Sequence, residues 1–299
     1  MNWIVFALVS PLIYTVVNYV DKLIIEKQVR DPLAMPGFVI LTSFISGLVL
    51  WVLTGFPLLM LNDALLVMFT GMLTAFGAAI YFSALALEET SRIIFFIQLQ
   101  PVVALILSYL FLNESISAVQ LVGFVLILGG VLALSIKGDL RGFSPSRAFW
   151  MIVLVDLIWV SSVILFKAVV RSLSFMDVLS YESWGLTLGS LLIYIFVPRV
   201  RRAFNTTVRT VPRRVFGIVF VNEFVFVIAK LAGFVAIALG PVALVSVLGG
   251  TQVFFGIVLG WALTFFAPSI FKEDISRRTL ARKGALAVVL FVGIGLISA

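Results

Sequence analysis

The 299-residue chain contains no cysteine and no histidine. The first absence excludes disulfide frameworks and catalytic thiols. The second excludes haem–His ligation and any Ser–His–Asp mechanism, and the two together remove the usual zinc ligands. Charge is scarce as well: Asp, Glu, Lys and Arg make up 12% of the chain, about half the share of an ordinary soluble domain. No Gly-x-x-x-x-Gly-Lys-Ser/Thr loop is present, so the chain carries no P-loop with which to hydrolyse ATP. No cofactor and no metal site is expected.

What the chain has in excess is apolar side chains, 62% of residues with a mean hydropathy of +1.21. A water-soluble particle of this size cannot hide that fraction, so the composition reads as an all-α integral membrane protein with many spans. The net charge of +7 does not point to nucleic acid. The basic residues sit in short loops between apolar runs, an arrangement that reports topology.

A span takes about 20 apolar residues, and ten such runs occur, at 3–21, 36–56, 64–87, 92–112, 118–136, 148–170, 178–197, 215–239, 242–266 and 283–298. Their continuity favours helices over the alternating pattern of a membrane barrel. Met1-Asn2-Trp3 has no basic n-region, so the first run reads as a span and not as a signal peptide. The longest polar stretches, 137–147, 198–214 and 267–282, leave no room for a soluble domain.

The chain also repeats itself. Pro11-Leu12-Ile13-Tyr14, with Lys22 eight residues after the Tyr, matches Asp156-Leu157-Ile158-Trp159, with Lys167 eight after the Trp. Ala84-Leu85-Ala86-Leu87 parallels Ala236-Ile237-Ala238-Leu239, and Glu114-Ser115-Ile116-Ser117 parallels Glu273-Asp274-Ile275-Ser276. The repeat unit is five spans, 1–140 and 141–299. Five is odd, so the copies cross the membrane in opposite senses around a central cavity, the arrangement of secondary transporters. The loops after spans 1, 3, 5, 7 and 9 hold 18 of the 21 Lys and Arg. By the positive-inside rule those loops are cytoplasmic and both termini lie outside.

Tyr81-x-x-Ala84-Leu85, Pro101 within span 4, Phe111-Leu112-Asn113-Glu114, Gly123 and Gly129-Gly130 resemble the EamA-type family of the drug/metabolite transporter superfamily. Gly233-x-x-Ala236-Ile237, Thr251-Gln252 and Glu273 repeat the pattern more loosely. The resemblance implies ten transmembrane helices in two inverted five-helix repeats, a central cavity, and movement of small metabolites, often export. Two departures stand out. Family members look termini-in, with basic residues after span 2 and between spans 4 and 5, where this chain has none; and seven residues are inserted before the second-half glutamate.

Charges inside apolar spans cost about 2.5–3.5 kcal/mol at the helix centre, so they face a partner or a wet path. Asp156, Trp159, Val163 and Lys167 form one stripe on span 6, and Tyr14, Asn18 and Lys22 repeat it on span 1. Asp156 and Glu223 each lie about nine residues into spans that enter from the same side, roughly 13 Å deep. They are candidates for an acid pair that binds protons or a cationic solute. The alternative is that Asn222, Ser161 and Ser162 satisfy them. Lys167–Glu182 is the expected structural pair, with Lys230–Glu182 as its competitor. Lys22 and Lys167 otherwise read as snorkelling residues, or as groups that capture a substrate carboxylate or phosphate. Pro101 removes a bond to the Ile97 carbonyl and kinks span 4 beside Gln98 and Gln100. Gln252 is taken as the second-half equivalent of Gln100, and Tyr81, Trp159 and Trp184 are candidates to stack a ligand. Glu114 and Glu273 read as helix-boundary features. Gly256-x-x-x-Gly260 and Gly129, Gly130, Gly293 and Gly295 read as close helix contacts.

These features point to a secondary transporter for a small, amino-acid-like solute, with protons as a candidate coupling ion. It would sit in a bacterial or archaeal inner membrane among lipids, as a monomer or homodimer. An intramembrane lipid-modifying enzyme built on the acid pair, or a non-transporting receptor or assembly factor, are the rival classes. Neither needs a duplicated chain.

Overall fold

The computed structural model describes residues 3–24, 31–85, 87–88, 90–135, 146–266 and 277–298. Among these the chain is helical and has no strand. The physical reason is the solvent. In a bilayer no water satisfies the backbone, so each apolar run must close its own hydrogen bonds.

The helices are α1 (Trp3–Ile24), α2 (Met35–Leu53), α3 (Leu61–Leu85), α4 (Thr90–Ile97), α5 (Gln100–Leu112), α6 (Ala118–Ser135) and α7 (Arg147–Val170). They continue with α8 (Phe175–Phe196), α9 (Pro198–Thr210), α10 (Arg213–Leu239), α11 (Val242–Gly249), α12 (Gln252–Phe266) and α13 (Arg277–Ser298). Among the described residues six segments are long and apolar enough to cross a membrane, the α11–α12 stretch among them. A seventh is counted if α8 and α9, bent by 98°, are taken together; α5, α6 and 283–298 are shorter apolar helices. The chain is therefore a multi-pass integral membrane protein.

Each expected run is occupied by helix, with two corrections to continuity. Runs 92–112 and 242–266 are each two helices, interrupted at Gln98–Leu99 and at Gly250–Thr251. In the first, Pro101 lies in the opening turn of α5, where its missing N–H costs nothing. In the second there is no proline; Gly249 and Gly250 stand at the break, and glycine is a poor helix former. The two breaks share two backbone bonds at corresponding places. Leu99 N–H donates to Phe96 O and Val102 N–H to Leu99 O; Gly250 N–H donates to Val247 O and Val253 N–H to Leu99's counterpart, Gly250 O. That register sets Gln252 opposite Pro101 and Thr251 opposite Gln100, a shift of one from the equivalence read in the sequence.

The polar stretch 198–214 is also more ordered than a solvated loop. Most of it forms α9, which buries Val200, Ala203 and Thr207 and leaves its arginines outward. Pro198 at the first helical position starts it.

Helix packing has an exchange pattern. α1 packs on α10 and α7 on α3; α1 meets α11 and α12, as α7 meets α4 and α5; α2 lies on α8, and α6 on α13. One relation breaks the pattern: α3 packs closely on α8, whereas α2 and α10 touch only sparsely. Small residues explain the close seam. A Cβ on Gly71 would strike the Glu182 carbonyl, one on Gly185 the Met68 carbonyl, and one on Gly189 would fall 2.8 Å from Ala75 Cβ. In α6–α13 the closest glycines are Gly123 and Gly293, where a Cβ would lie 2.7 and 2.9 Å from the opposite carbonyl. Of the glycines picked from the sequence, Gly130 and Gly293 make such contacts. Gly129, Gly256 and Gly295 face nothing within 4 Å among the described residues.

Candidate functional site

A narrow cleft follows the sparse seam between α2, α8 and α10. Its apolar walls are Val39, Leu50, Leu179, Leu186, Phe226, Val227 and Leu231, and its polar residues are Thr42, Ser43, Ser46, Ser183, Glu223 and Lys230. In this conformation it has room for about one water molecule. At its back wall Lys230 Nζ donates to Glu182 Oε2 at 2.5 Å. Glu182 is fully buried and its Oε1 has no hydrogen-bond partner among the described residues. Phe234 covers Lys230 from another side, 5.4 Å from Nζ to the ring centroid. Tyr14 stands against the cleft-lining Phe226, ring centroids 5.3 Å apart.

The two helix breaks form a second polar locus. They abut: a Cβ on Gly250 would lie 3.1 Å from Gln98 Oε1. Gln98 and Thr251 are buried, and Gln100 and Gln252 are half-buried. Thr15 of α1 donates to the Gln252 carbonyl at 3.4 Å and to Pro11 O at 2.8 Å. Breaks of this kind free backbone groups that a bilayer tolerates only where protein or a cavity receives them.

A third locus is a charge clasp. Asn113 ends α5 in the left-handed conformation, φ 53°, which a short polar side chain tolerates. The chain turns there, and Glu114 N–H returns to Ser108 O at 3.2 Å. The Glu114 carboxylate is carried into the bundle. It lies 2.5 Å from Lys167 Nζ and 3.4 Å from Arg171 and accepts from Val242 N–H at 2.8 Å. Lys167 also donates to Gly240 O at 2.5 Å. One carboxylate thus joins the end of α5, the end of α7 and the start of α11.

This clasp corrects the sequence reading. Lys167 does not pair with Glu182 and does not snorkel; it is 5% exposed and bound to Glu114. The competing Lys230–Glu182 pair is the one that forms. Glu114 is a boundary feature, but it caps a different helix from its own.

The acid pair separates into two surroundings. Glu223 lines the cleft; Asp156 is not among the lining residues. Asp156 is fully buried, and neither carboxyl oxygen has a hydrogen-bond partner among the described residues. Two of the three neighbours proposed to satisfy the acids bond elsewhere: Ser162 donates to Thr70 O at 2.8 Å, and Asn222 donates to Val17 O at 3.3 Å. Trp159 donates to Thr74 O at 3.2 Å, and its ring lies 5.7 Å from that of Tyr81, centroid to centroid. Trp184 packs edge-on against Phe44, away from the cleft. Asn18 is exposed. The side chain of Lys22, and Glu273 altogether, lie outside the described residues.

Fold and composition together define a multi-pass helical membrane protein. Residues 1–136 match the model of the EamA-like transporter family, in agreement with the resemblance carried by the motifs around Tyr81, Pro101 and Glu114. The match ends where the fifth apolar run ends. No curated protein matches the chain. A crystal structure of another protein superposes with a TM-score of 0.71 at 15% identity, covering 98% of this chain and 94% of that one. At that identity the likeness is one of fold.

Proposed function

We propose that this protein is a secondary carrier. It moves a small organic, amino-acid-like solute across a membrane by alternating access between two inverted five-helix halves, ten spans in all, α4–α5 and α11–α12 each counting as one. The observation that carries this reading is the pair of abutting breaks, with two hydrogen bonds in common at corresponding places in the two halves. Paired broken helices at a repeat interface are the best pointer to a midplane solute site. Two further features support it. Packing is nearly unchanged when the halves are exchanged, and the single strong exception is that the α3–α8 seam is tight while the α2–α10 seam holds the cleft. An inequality of that kind is what a two-state carrier has in either of its end states. Glu223 and Lys230, which line the cleft, are the solute-facing groups, with Glu182 behind Lys230 and Tyr14 behind Phe226; Gln98, Gln100, Pro101 and Gln252 form the hinge, and Asp156 is the candidate proton site.

Counterflow in proteoliposomes tests the reading. Liposomes loaded with an amino-acid mixture should transiently accumulate a labelled member of it only when the protein is present. No exchange across a broad panel of amino acids, amines and nucleosides would refute transport. The termini are placed on the extracytoplasmic side; a phosphatase fused after Ala299 should be active there, and activity of a cytoplasm-only reporter reverses the placement.

A further inference from the structure

The cleft between α2, α8 and α10 has an unequal supply of hydrogen-bonding groups. A hydroxyl has one hydrogen and two lone pairs. Thr42 spends its hydrogen on Phe38 O at 3.2 Å, Ser43 on Val39 O at 2.5 Å, Ser46 on Thr42 O at 2.8 Å and Ser183 on Leu179 O at 3.0 Å. A carbonyl cannot donate, so the direction of each bond is fixed. Ser43 also touches the Thr187 hydroxyl at 2.9 Å, where either oxygen can donate, and Thr187 reaches Ser183 O at 2.9 Å. Two hydrogens thus serve three contacts here, and what these side chains mainly offer the cleft is oxygen lone pairs. Behind them, Glu182 is fully buried, and its Oε1 has no partner among the described residues, although a carboxylate accepts about four hydrogen bonds. Among the described residues the one cation lining the cleft, Lys230, is already bound to Glu182 Oε2 and covered by Phe234.

We propose that this cleft recognises a solute through a primary ammonium head, which donates to Glu182 Oε1 and to the hydroxyl oxygens of α2 and α8. The inference rests on the carrier reading for its role but not for its chemistry. A carboxylate or phosphate head would face a wall of acceptors. A quaternary ammonium has the charge but no N–H to give. A primary ammonium has three donors, and Lys230 already shows how one is seated on Glu182. The apolar walls, Leu50, Leu179 and Leu186 among them, would take the carbon chain.

The test uses the full chain purified in detergent and its thermal unfolding midpoint, since a ligand stabilises the state it binds. Ethanolamine, ethylene glycol, glycolate and choline serve as small probes that differ in the head. Ethanolamine should raise the midpoint at about tenfold lower concentration than ethylene glycol, the step from a neutral to a charged hydrogen bond. Glycolate and choline should be weaker still. Glu182→Gln alone leaves Lys230 buried without a counter-charge and is expected to fold poorly, so the decisive variants are Glu182→Gln with Lys230→Met, and Ser46→Ala. The first should abolish the preference for ethanolamine, and the second should reduce it. The proposal is overturned if choline matches ethanolamine, if glycolate or ethylene glycol binds more tightly, if no probe binds, or if the preference survives the double variant. Counterflow separates this from the carrier reading. Ethanolamine that binds without being exchanged sinks transport and leaves the recognition standing. Exchange of a solute with no amine, without any amine preference, does the reverse.

Discussion

Replacing Glu114 by Gln isolates one charge in the clasp. The amide oxygen can still accept from Val242 N–H, so the cap on α11 survives in kind. What changes is the surroundings of Lys167, whose side chain is 7% exposed beside a carboxylate that is 11% exposed. Removing one partner of a buried pair costs about 3–5 kcal/mol, because the other charge stays buried. Two details fix where in that range this site falls. Arg171 is half exposed at 3.4 Å and contributes little, about 0–1 kcal/mol. Lys167 keeps the Gly240 carbonyl at 2.5 Å, which offsets part of the loss. We therefore expect about 3 kcal/mol, a fall in the unfolding midpoint of roughly 6–12 °C for a chain of this size. Adding Lys167→Met should recover most of it, leaving an unpaired Gly240 carbonyl at about 1 kcal/mol. Thermal or denaturant unfolding of the three proteins in one detergent measures this. A single variant within about 1 kcal/mol of the parent, or a double variant no more stable than the single, refutes the clasp.

Gly185→Ala should destabilise by about 1–3 kcal/mol or more, since its Cβ would meet the Met68 backbone. Gly129→Ala, with nothing within 4 Å, should be neutral or stabilising by up to about 1 kcal/mol; the same unfolding assay compares them, and equal effects contradict the packing. Pro101→Ala should leave the α4–α5 interruption in place, because the α11–α12 break forms without a proline. The chain has no cysteine, so paired spin labels can be introduced cleanly on α4 and α5, and a distance that lengthens to that of a straight helix would show the expectation wrong. Asp156→Asn should unfold no earlier than the parent, since no bond to the carboxyl is lost, while any pH dependence of transport disappears. A loss above about 1 kcal/mol would mean that the carboxyl has a partner after all.

The span boundaries were legible because the bilayer fixes a length and the composition obeys it; α2, α7 and α10 begin within two residues of their runs. The first break was half legible through Pro101. The second was written as Gly249-Gly250, which reads equally well as close packing, so run 242–266 looked continuous. Pairings were the least legible. A stripe along one helix orders charges by height but not by neighbour, and Lys167 and Glu182 shared a height. The true partner depended on Asn113 turning left-handed at the end of α5 and swinging Glu114 inward. Lys230 found Glu182 because α10 and α8 both face the cleft. That Asp156 has no hydrogen-bond partner among the described residues could not be read at all, since Ser161 and Ser162 lie within two turns of it on the same helix.

The unequal seams also bear on how a carrier of this build would switch. α3–α8 closes on backbone, with Gly71, Gly185 and Gly189 admitting the opposite chain. α2–α10 cannot close the same way, because Glu223, Phe226 and Lys230 occupy the α10 face. Exchange of the halves would thus trade a dry backbone contact for a seam lined with oxygen acceptors and a buried ion pair. The two states are chemically unequal, and the one with α3–α8 closed is favoured when the cleft is empty. A solute shifts that balance only by its differential affinity for the other state. Donor-bearing solutes meet that requirement, since they satisfy the acceptors that closing of α2–α10 buries and gain nothing from α3–α8. Spin labels across α3–α8 should accordingly report one short distance without solute and a second, longer one only with an amine present. A seam already split between both distances in the empty protein would mean that the glycines do not set the resting state.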